Sequence, residues 1–249
     1  MIPLIAVAHG SRDPRSARAV AAALAVVRAQ HPQWDVRLAF LDLNEPSVPS
    51  VLDAVAAEGH DRVVVVPLLL GSAFHARVDL PALLAQARVR HRGLDIVCSD
   101  ILGDDVLLVD AVRDHIAATS VSLDDPEIGV ALCAVGSRRP EANSAVAAVA
   151  PRVTAATMWL PARTCFATAA QPSVTDALIR LEQAGARTLV VAPWMLAPGL
   201  LWDRACDAAL ASFPGVRIAA PLPSHTAVAR VIAARYLDAS ALAVSPLAA

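Results

Sequence analysis

His9 follows the apolar run Ile5 to Ala8 in AHGSRDP, and His75 lies in PLLLGSAFHARVDLP after a second run, Val63 to Val66. A carboxylate, Asp42, stands between them in FLDLNEPSV. Imidazole and carboxylate are the groups with which a chain binds a divalent first-row metal or moves a proton near neutral pH, and an imidazole does either only when neutral. If both apolar runs are parallel strands, both histidines leave the carboxyl ends of one sheet, where open α/β folds hold their ligands. One metal ion can then be held between distant segments of the chain.

Taken singly, each residue has a plainer reading. A histidine at a strand end often only completes a hydrogen bond, Asp42 suits a turn, and Arg12 and Arg77 suit a solvated surface. An internal repeat changes that balance. HGSRDP (9–14) matches VGSRRP (135–140), AFLDLNEPSV (39–48) matches CFATAAQPSV (165–174), and VVVVPLLLG (63–71) matches LVVAPWMLA (189–197). Residue 9 answers to 135, 39 to 165 and 63 to 189, one offset of 126 each time, which marks two copies of one folding unit. At that offset His9 becomes Val135, Asp42 becomes Thr168 and His75 becomes Leu201. The joint loss of all three points to a single site, in the first copy.

The elements that must position these residues follow from periodicity. In copy one, apolar runs near 3–8, 36–41, 62–67 and 94–98 alternate with helical patterns near 14–30, 48–58, 79–90 and 104–118, a βαβ series with a parallel sheet. Copy two repeats the plan with strands near 128–134, 161–167, 187–192 and 216–220 and helices near 140–150, 175–184, 203–212 and 224–237. Pro151 is expected to end or kink the first of those helices, because proline lacks the helical N–H. The polar stretch 119–127 is the expected linker, and 239–249 an expected frayed tail.

Composition narrows the partner. The chain has 249 residues, 56% hydrophobic and 18% charged, with a formal charge of −2 and no basic block, which argues against a nucleic-acid binder. Its apolar runs fall well short of the roughly 20 residues that span a bilayer. The start MIPLIAVAHG has no basic flank or cleavage signature and is expected to be a first strand, so the chain is expected to be soluble and cytoplasmic. Cys98, Cys133, Cys165 and Cys206 are scattered without a Cys-x-x-Cys pair, the pattern of buried thiols and not of a zinc or iron–sulfur site. No Gly-rich loop follows a strand to cradle phosphates. His31, His60, His91 and His115 are expected to serve the surface, and His225, at a helix start in copy two with no partner of its type nearby in sequence, is expected to be structural.

Together, AHGSRDP, FLDLNEPSV and PLLLGSAFHARVDLP resemble the sirohydrochlorin chelatases, the type II chelatase family of siroheme and cobalamin biosynthesis. The resemblance covers nearly the whole chain and includes the two-copy layout of the family's long form. It implies an α/β protein of two tandem chelatase-like domains, each a parallel four-stranded sheet flanked by helices. Residues 1–118 would carry the active site, and residues 128–238 would form a repeat without the metal-site residues. It also implies insertion of a divalent metal into sirohydrochlorin, with His9 and His75 as the metal-handling and catalytic histidines. Asp42 stands where family members commonly carry Glu, and is expected either to bind the ion or to accept a proton. Iron, giving siroheme, is the first expectation for the metal and cobalt, for cobalamin, the second; Ni2+ suits the same ligands. No cofactor is expected to be permanently bound.

Such a reaction strips water from the ion, removes two pyrrole protons and passes the ion to the ring. An incomplete ligand set suits it, because a closed four-ligand cage would retain the metal. The substrate's carboxylates would be met by Arg12 and Arg77 and by backbone N–H groups of Gly10 and Ser11. Gly71 would admit the macrocycle and Phe74 would stack on it. The apolar loop around Trp194, Met195, Leu200, Leu201 and Trp202 would face the flat ring or a domain interface. The fused chain is expected to act as a monomer, and neither nucleic acid nor membrane is an expected partner. Two rivals remain: a non-catalytic metal or tetrapyrrole carrier of the same fold, and a periplasmic-type two-lobe binding protein, disfavoured by the lack of an export signal and a single linker crossing.

Overall fold

The computed structural model describes residues 1–71, 78–222 and 225–244, the last three as backbone only. In chain order the first copy contains β1 (Leu4–Ala8), α1 (Pro14–Gln30), β2 (Val36–Phe40), α2 (Val48–Ala57), β3 (Arg62–Pro67), α3 (Leu80–Arg90), β4 (Asp95–Cys98) and α4 (Val106–Ala117). The second contains β5 (Ile128–Ala134), α5 (Pro140–Ala147), α6 (Ala150–Thr154), β6 (Arg163–Phe166), α7 (Val174–Gln183), β7 (Thr188–Pro193), α8 (Leu200–Ser212), β8 (Arg217–Ile218) and α9 (Thr226–Val244). The strands form two four-stranded sheets, ordered β2-β1-β3-β4 and β6-β5-β7-β8, with every pairing parallel. This is the α/β architecture that the alternating periodicity predicts.

Val63 to Val66 show why these segments are strands. All four are fully buried, as a strand covered by helices on both faces requires, and their β-branched side chains fit the pleat. Ile5, Val7, Val63 and Val65 pack with Val51, Leu52 and Val55 of α2 and Leu80 and Leu84 of α3. Each such side chain contributes roughly 1.5–3 kcal/mol by leaving water. Helix starts are equally local. Asp13 caps α1 by accepting from the Arg15 N–H at 2.9 Å, with Pro14 behind it, and Ser173 and Asp176 form a reciprocal capping box on α7. Pro151 interrupts the 140–150 helix as expected: α5 stops at Ala147, and Pro151 sits in the first turn of α6, where its missing N–H would have no partner anyway.

The compact units cut across the two sequence copies. One unit comprises residues 1–103 and 225–249, the other 104–224. Thus α4 belongs with the second sheet, where Arg113 donates to the carbonyls of Arg152 and Val153 at 3.0 Å each. Helix α9 belongs with the first sheet, where the Tyr236 hydroxyl donates to the Ile2 carbonyl at 2.7 Å and Arg235 donates to the carbonyls of Ile101 and Leu102. The chain therefore passes between units twice, after Gly103 and after Ser224, and not once through 119–127. That polar stretch lies inside the second unit: Arg217 donates to the Thr119 carbonyl, and Trp159 Nε1 to the Ser122 carbonyl at 2.8 Å. The expected fray at 239–244 is also corrected, since α9 continues through Val244 and Ala239 is buried.

Cys133 and Cys165 are register partners on β5 and β6, both fully buried, and Cys206 is half-buried with its thiol pushed up to about 12, chiefly by burial. Cys98 departs from the expected burial and is exposed. Among the described residues no helix is long and apolar enough to cross a membrane.

Candidate active site

In the first sheet β1 is flanked by β2 on one side and β3 on the other, so the connections diverge at its carboxyl end. Crevices at such switch points are where open α/β sheets bind ligands. His9 is the first residue beyond β1 and Asp42 the second beyond β2. Backbone hydrogen bonds continue past the strands: the Leu41 N–H donates to the Ala8 carbonyl at 2.9 Å, the Asp42 N–H to the His9 carbonyl at 3.0 Å, and the Leu68 N–H to the Val7 carbonyl at 2.8 Å. The structure thus brings His9 and Asp42 together on adjacent, rigidly joined loops, and both residues are exposed. One Asp42 carboxylate oxygen accepts from the Leu43 N–H at 2.8 Å; no partner for the other is found among the described residues. Leu43 itself sits at φ 63°, a left-handed conformation costly for leucine, directly beside the site.

Gly10 makes this junction possible. Its φ is +96°, and a Cβ there would lie 1.8 Å from the Asp42 carbonyl oxygen. Ser11 has a different role from the expected one. Its N–H donates to Asn44 Oδ1 at 2.6 Å and its hydroxyl accepts from the Asp13 N–H at 3.0 Å, so its polar groups hold the turn. The start of α1 is likewise closed by Asp13, whose carboxyl is held below its ordinary value by hydrogen bonds from the Arg15 guanidinium and N–H. Arg12 is exposed and, among the described residues, has no hydrogen-bond or ion-pair partner. Among the described residues, a Cβ at Gly71 would meet nothing within 4 Å. His75, Phe74 and Arg77 lie outside the described residues. Asn44 is the residue that sequence reasoning missed; its position in a turn, where asparagine commonly accepts a backbone N–H, is the signal that was available.

Copy two reproduces the frame without the chemistry. The Ala167 N–H donates to the Ala134 carbonyl at 2.8 Å, the Thr168 N–H to the Val135 carbonyl at 3.1 Å, and the Trp194 N–H to the Cys133 carbonyl at 2.7 Å. Gly136 has φ +87° where Gly10 has +96°. The positions of His9 and Asp42 are filled by Val135, which is exposed, and Thr168, which is half-buried. Met195 and Trp202, expected to face a ring or an interface, pack into the core of the second unit with Cys133 and Cys165, whereas Leu200 stays exposed.

Elsewhere among the described residues, Asp35, Glu58 and His60 form a cluster of three metal-ligand types with atoms within 4.8 Å. It lies at the amino ends of β2 and β3, away from the crevice, and the Arg37 guanidinium already pairs with both Asp35 and Glu58. That ion-pair network accounts for the cluster without a metal. The remaining histidines have structural partners: His31 stacks on Trp34, His91 binds Asp53 at 2.6 Å, His115 binds the Ala220 carbonyl, and His225 accepts from the Ala227 N–H at 3.1 Å.

Comparison with known proteins places the chain in a family. The profile of the CbiX family matches residues 3–119 and again residues 129–239. The chain belongs to the CbiX family. Among curated relatives it is 27% identical over 200 residues to the sirohydrochlorin ferrochelatase of Bacillus subtilis strain 168, covering 80% of this chain and 76% of the relative. It is 24% identical over 210 residues to a sirohydrochlorin cobaltochelatase of Priestia megaterium, covering 82% of this chain and 67% of the relative. Among solved structures, SirB from Bacillus subtilis with Fe3+ superposes with a TM-score of 0.82 at 25% identity, covering 98% of this chain and 97% of that one. Membership of the CbiX family replaces the single-crossing linker as the reason to set aside a two-lobe binding protein.

Proposed function

We propose that this CbiX-family chain is a sirohydrochlorin chelatase, a lyase that inserts a divalent metal ion into sirohydrochlorin at one site in its first copy. The observation that carries the reading is the pair of matched frames: the same backbone junction occurs twice, and only one bears an imidazole and a carboxylate. Fe2+, giving siroheme, is the principal metal substrate. Co2+ is the second reading, favoured by relatives named for cobalt insertion and by a SirB structure in complex with cobalt.

His9 and His75 receive the ion as neutral imidazoles, and the open coordination positions let it pass to the ring nitrogens. Asp42, whose second oxygen is unpaired among the described residues, takes one of the two pyrrole N–H protons, and the other leaves to solvent water. Arg12 and Arg77 pair with the substrate's carboxylates. No resident cofactor takes part, and the monomer is the functional unit.

Anaerobic absorption spectroscopy tests this reading. Sirohydrochlorin is mixed with Fe2+, Co2+ or Ni2+ with and without a catalytic amount of protein. The expected result is conversion of many equivalents of tetrapyrrole faster than the spontaneous reaction, with the rate ratios ranking the metals. A change limited to one equivalent per chain, or none, would instead identify a carrier.

A further inference from the structure

A cavity of about 410 Å3 opens along β6, the edge strand of the second sheet, and Arg163, Arg180, Gln171, Ser144, Ala150 and Phe166 are among its lining residues. Comparison with the matching edge of the first sheet shows what is unusual about it. Arg163 answers to Arg37 at the repeat offset, and Arg37 is neutralised by Asp35 and Glu58. Their counterparts in copy two are Pro161 and Ala184, so both acidic partners are gone. Glu45 is replaced by Gln171, and Ala54 by a second cation, Arg180. The same edge thus changes from an internally paired, net acidic site to a basic cavity. Arg163 is exposed and has no hydrogen bond or ion pair among the described residues. Arg180 acts through space on Asp176 one turn earlier, a weaker influence on that carboxyl than Ser173's hydrogen bonds.

We infer that this cavity binds a small organic polycarboxylate. Two guanidinium groups match two carboxylates, which they engage through paired N–H donors. Gln171 accepts from the Ser173 N–H through its Oε1 at 3.2 Å, which turns its NH2 into a further donor. Ala150 and Phe166 supply apolar contact for a short carbon frame. The inference is independent of the metal site, which lies in the other unit.

Isothermal titration calorimetry of the metal-free full chain with tricarballylate tests it, with inorganic phosphate as a second titrant. Wild type is expected to bind one tricarballylate saturably and phosphate at least about tenfold more weakly, because phosphate lacks the carbon frame and the separately placed charges. Arg163→Gln and Arg180→Gln are each expected to weaken binding by about tenfold, the scale of one charge-assisted contact, and the double variant to abolish it. Arg37→Gln is expected to leave it unchanged. Unchanged binding by the double variant, or no saturable binding by wild type, would overturn the site; phosphate binding as tightly as tricarballylate would overturn the ligand class. Metal and tetrapyrrole are absent from the titration, so its outcome is separate from that of the chelatase assay.

Discussion

Replacing His9 by alanine is expected to slow protein-assisted metal insertion by at least about a hundredfold, since even a group that only orients a metal ligand is worth up to about that much, without unfolding the chain. The expectation of an intact fold rests on exposure. His9 lies just past the buried strand β1, and its backbone carbonyl, which accepts from Asp42, is unaffected by the substitution. His75→Ala is expected to lose as much. The double variant is expected to be little worse than either single one, because two ligands of one ion fail together and not additively. Initial rates by absorbance, set beside melting curves, check all three. A His9→Ala protein within about threefold of wild type would remove His9 from the reaction.

The second large effect concerns a residue with no side chain. Gly10→Ala is expected to destabilise the protein by roughly 2–4 kcal/mol, lowering the melting temperature by about 5–10 °C, and to slow metal insertion by about a hundredfold. The physical cause is the 1.8 Å approach of the new Cβ to the Asp42 carbonyl oxygen, added to a φ of +96°. Backbone cannot rotate away as a side chain can, so the Asp42 loop must shift, and displacements near 1 Å cost about a hundredfold in rate. Gly136→Ala provides the contrast. Its new Cβ would meet Thr168 Oγ1 at 2.6 Å and the Phe166 Cβ at 2.9 Å, so this turn too must shift, but its loop carries neither histidine nor carboxylate. It is expected to cost stability as well, and yet to spare the activity of the folded protein. Equal losses of activity for the two variants would mean that the His9–Asp42 junction has no special part in catalysis.

Much of this architecture was legible in the sequence because it depends on local physics. The strand Ile128–Ala134 and the helix Pro14–Gln30 match their predicted bounds, since a continuous apolar run and a capped, proline-started amphipathic segment each have one stable solution. The repeat offset, read from residues alone, identified two turns whose backbone hydrogen bonds prove equivalent. The exchange of α4 and α9 between units was not legible. Periodicity shows that a helix has an apolar face, but both sheets present similar apolar surfaces, and nothing within residues 106–117 specifies which one they cover. Ser11 was misread for a related reason: the HGSR motif shows N–H groups near a helix start, but not that Asn44, 33 residues away, already accepts one of them. The reversal of charge between the edges of β2 and β6 is written in the sequence as Asp35 to Pro161 and Glu58 to Ala184. It became meaningful only when the structure placed Arg163 and Arg180 on one cavity.

The central claim is that the first copy alone performs the chemistry on a frame that both copies share. The most direct measurement compares two triple variants in the anaerobic metalation assay: His9→Ala, Asp42→Ala, His75→Ala, and at the matching positions Val135→Ala, Thr168→Ala, Leu201→Ala. The account predicts that the first set falls to the spontaneous rate, whereas the second keeps wild-type activity to within about threefold. Comparable losses from both sets, or acceleration surviving in the first, would contradict a single site in copy one.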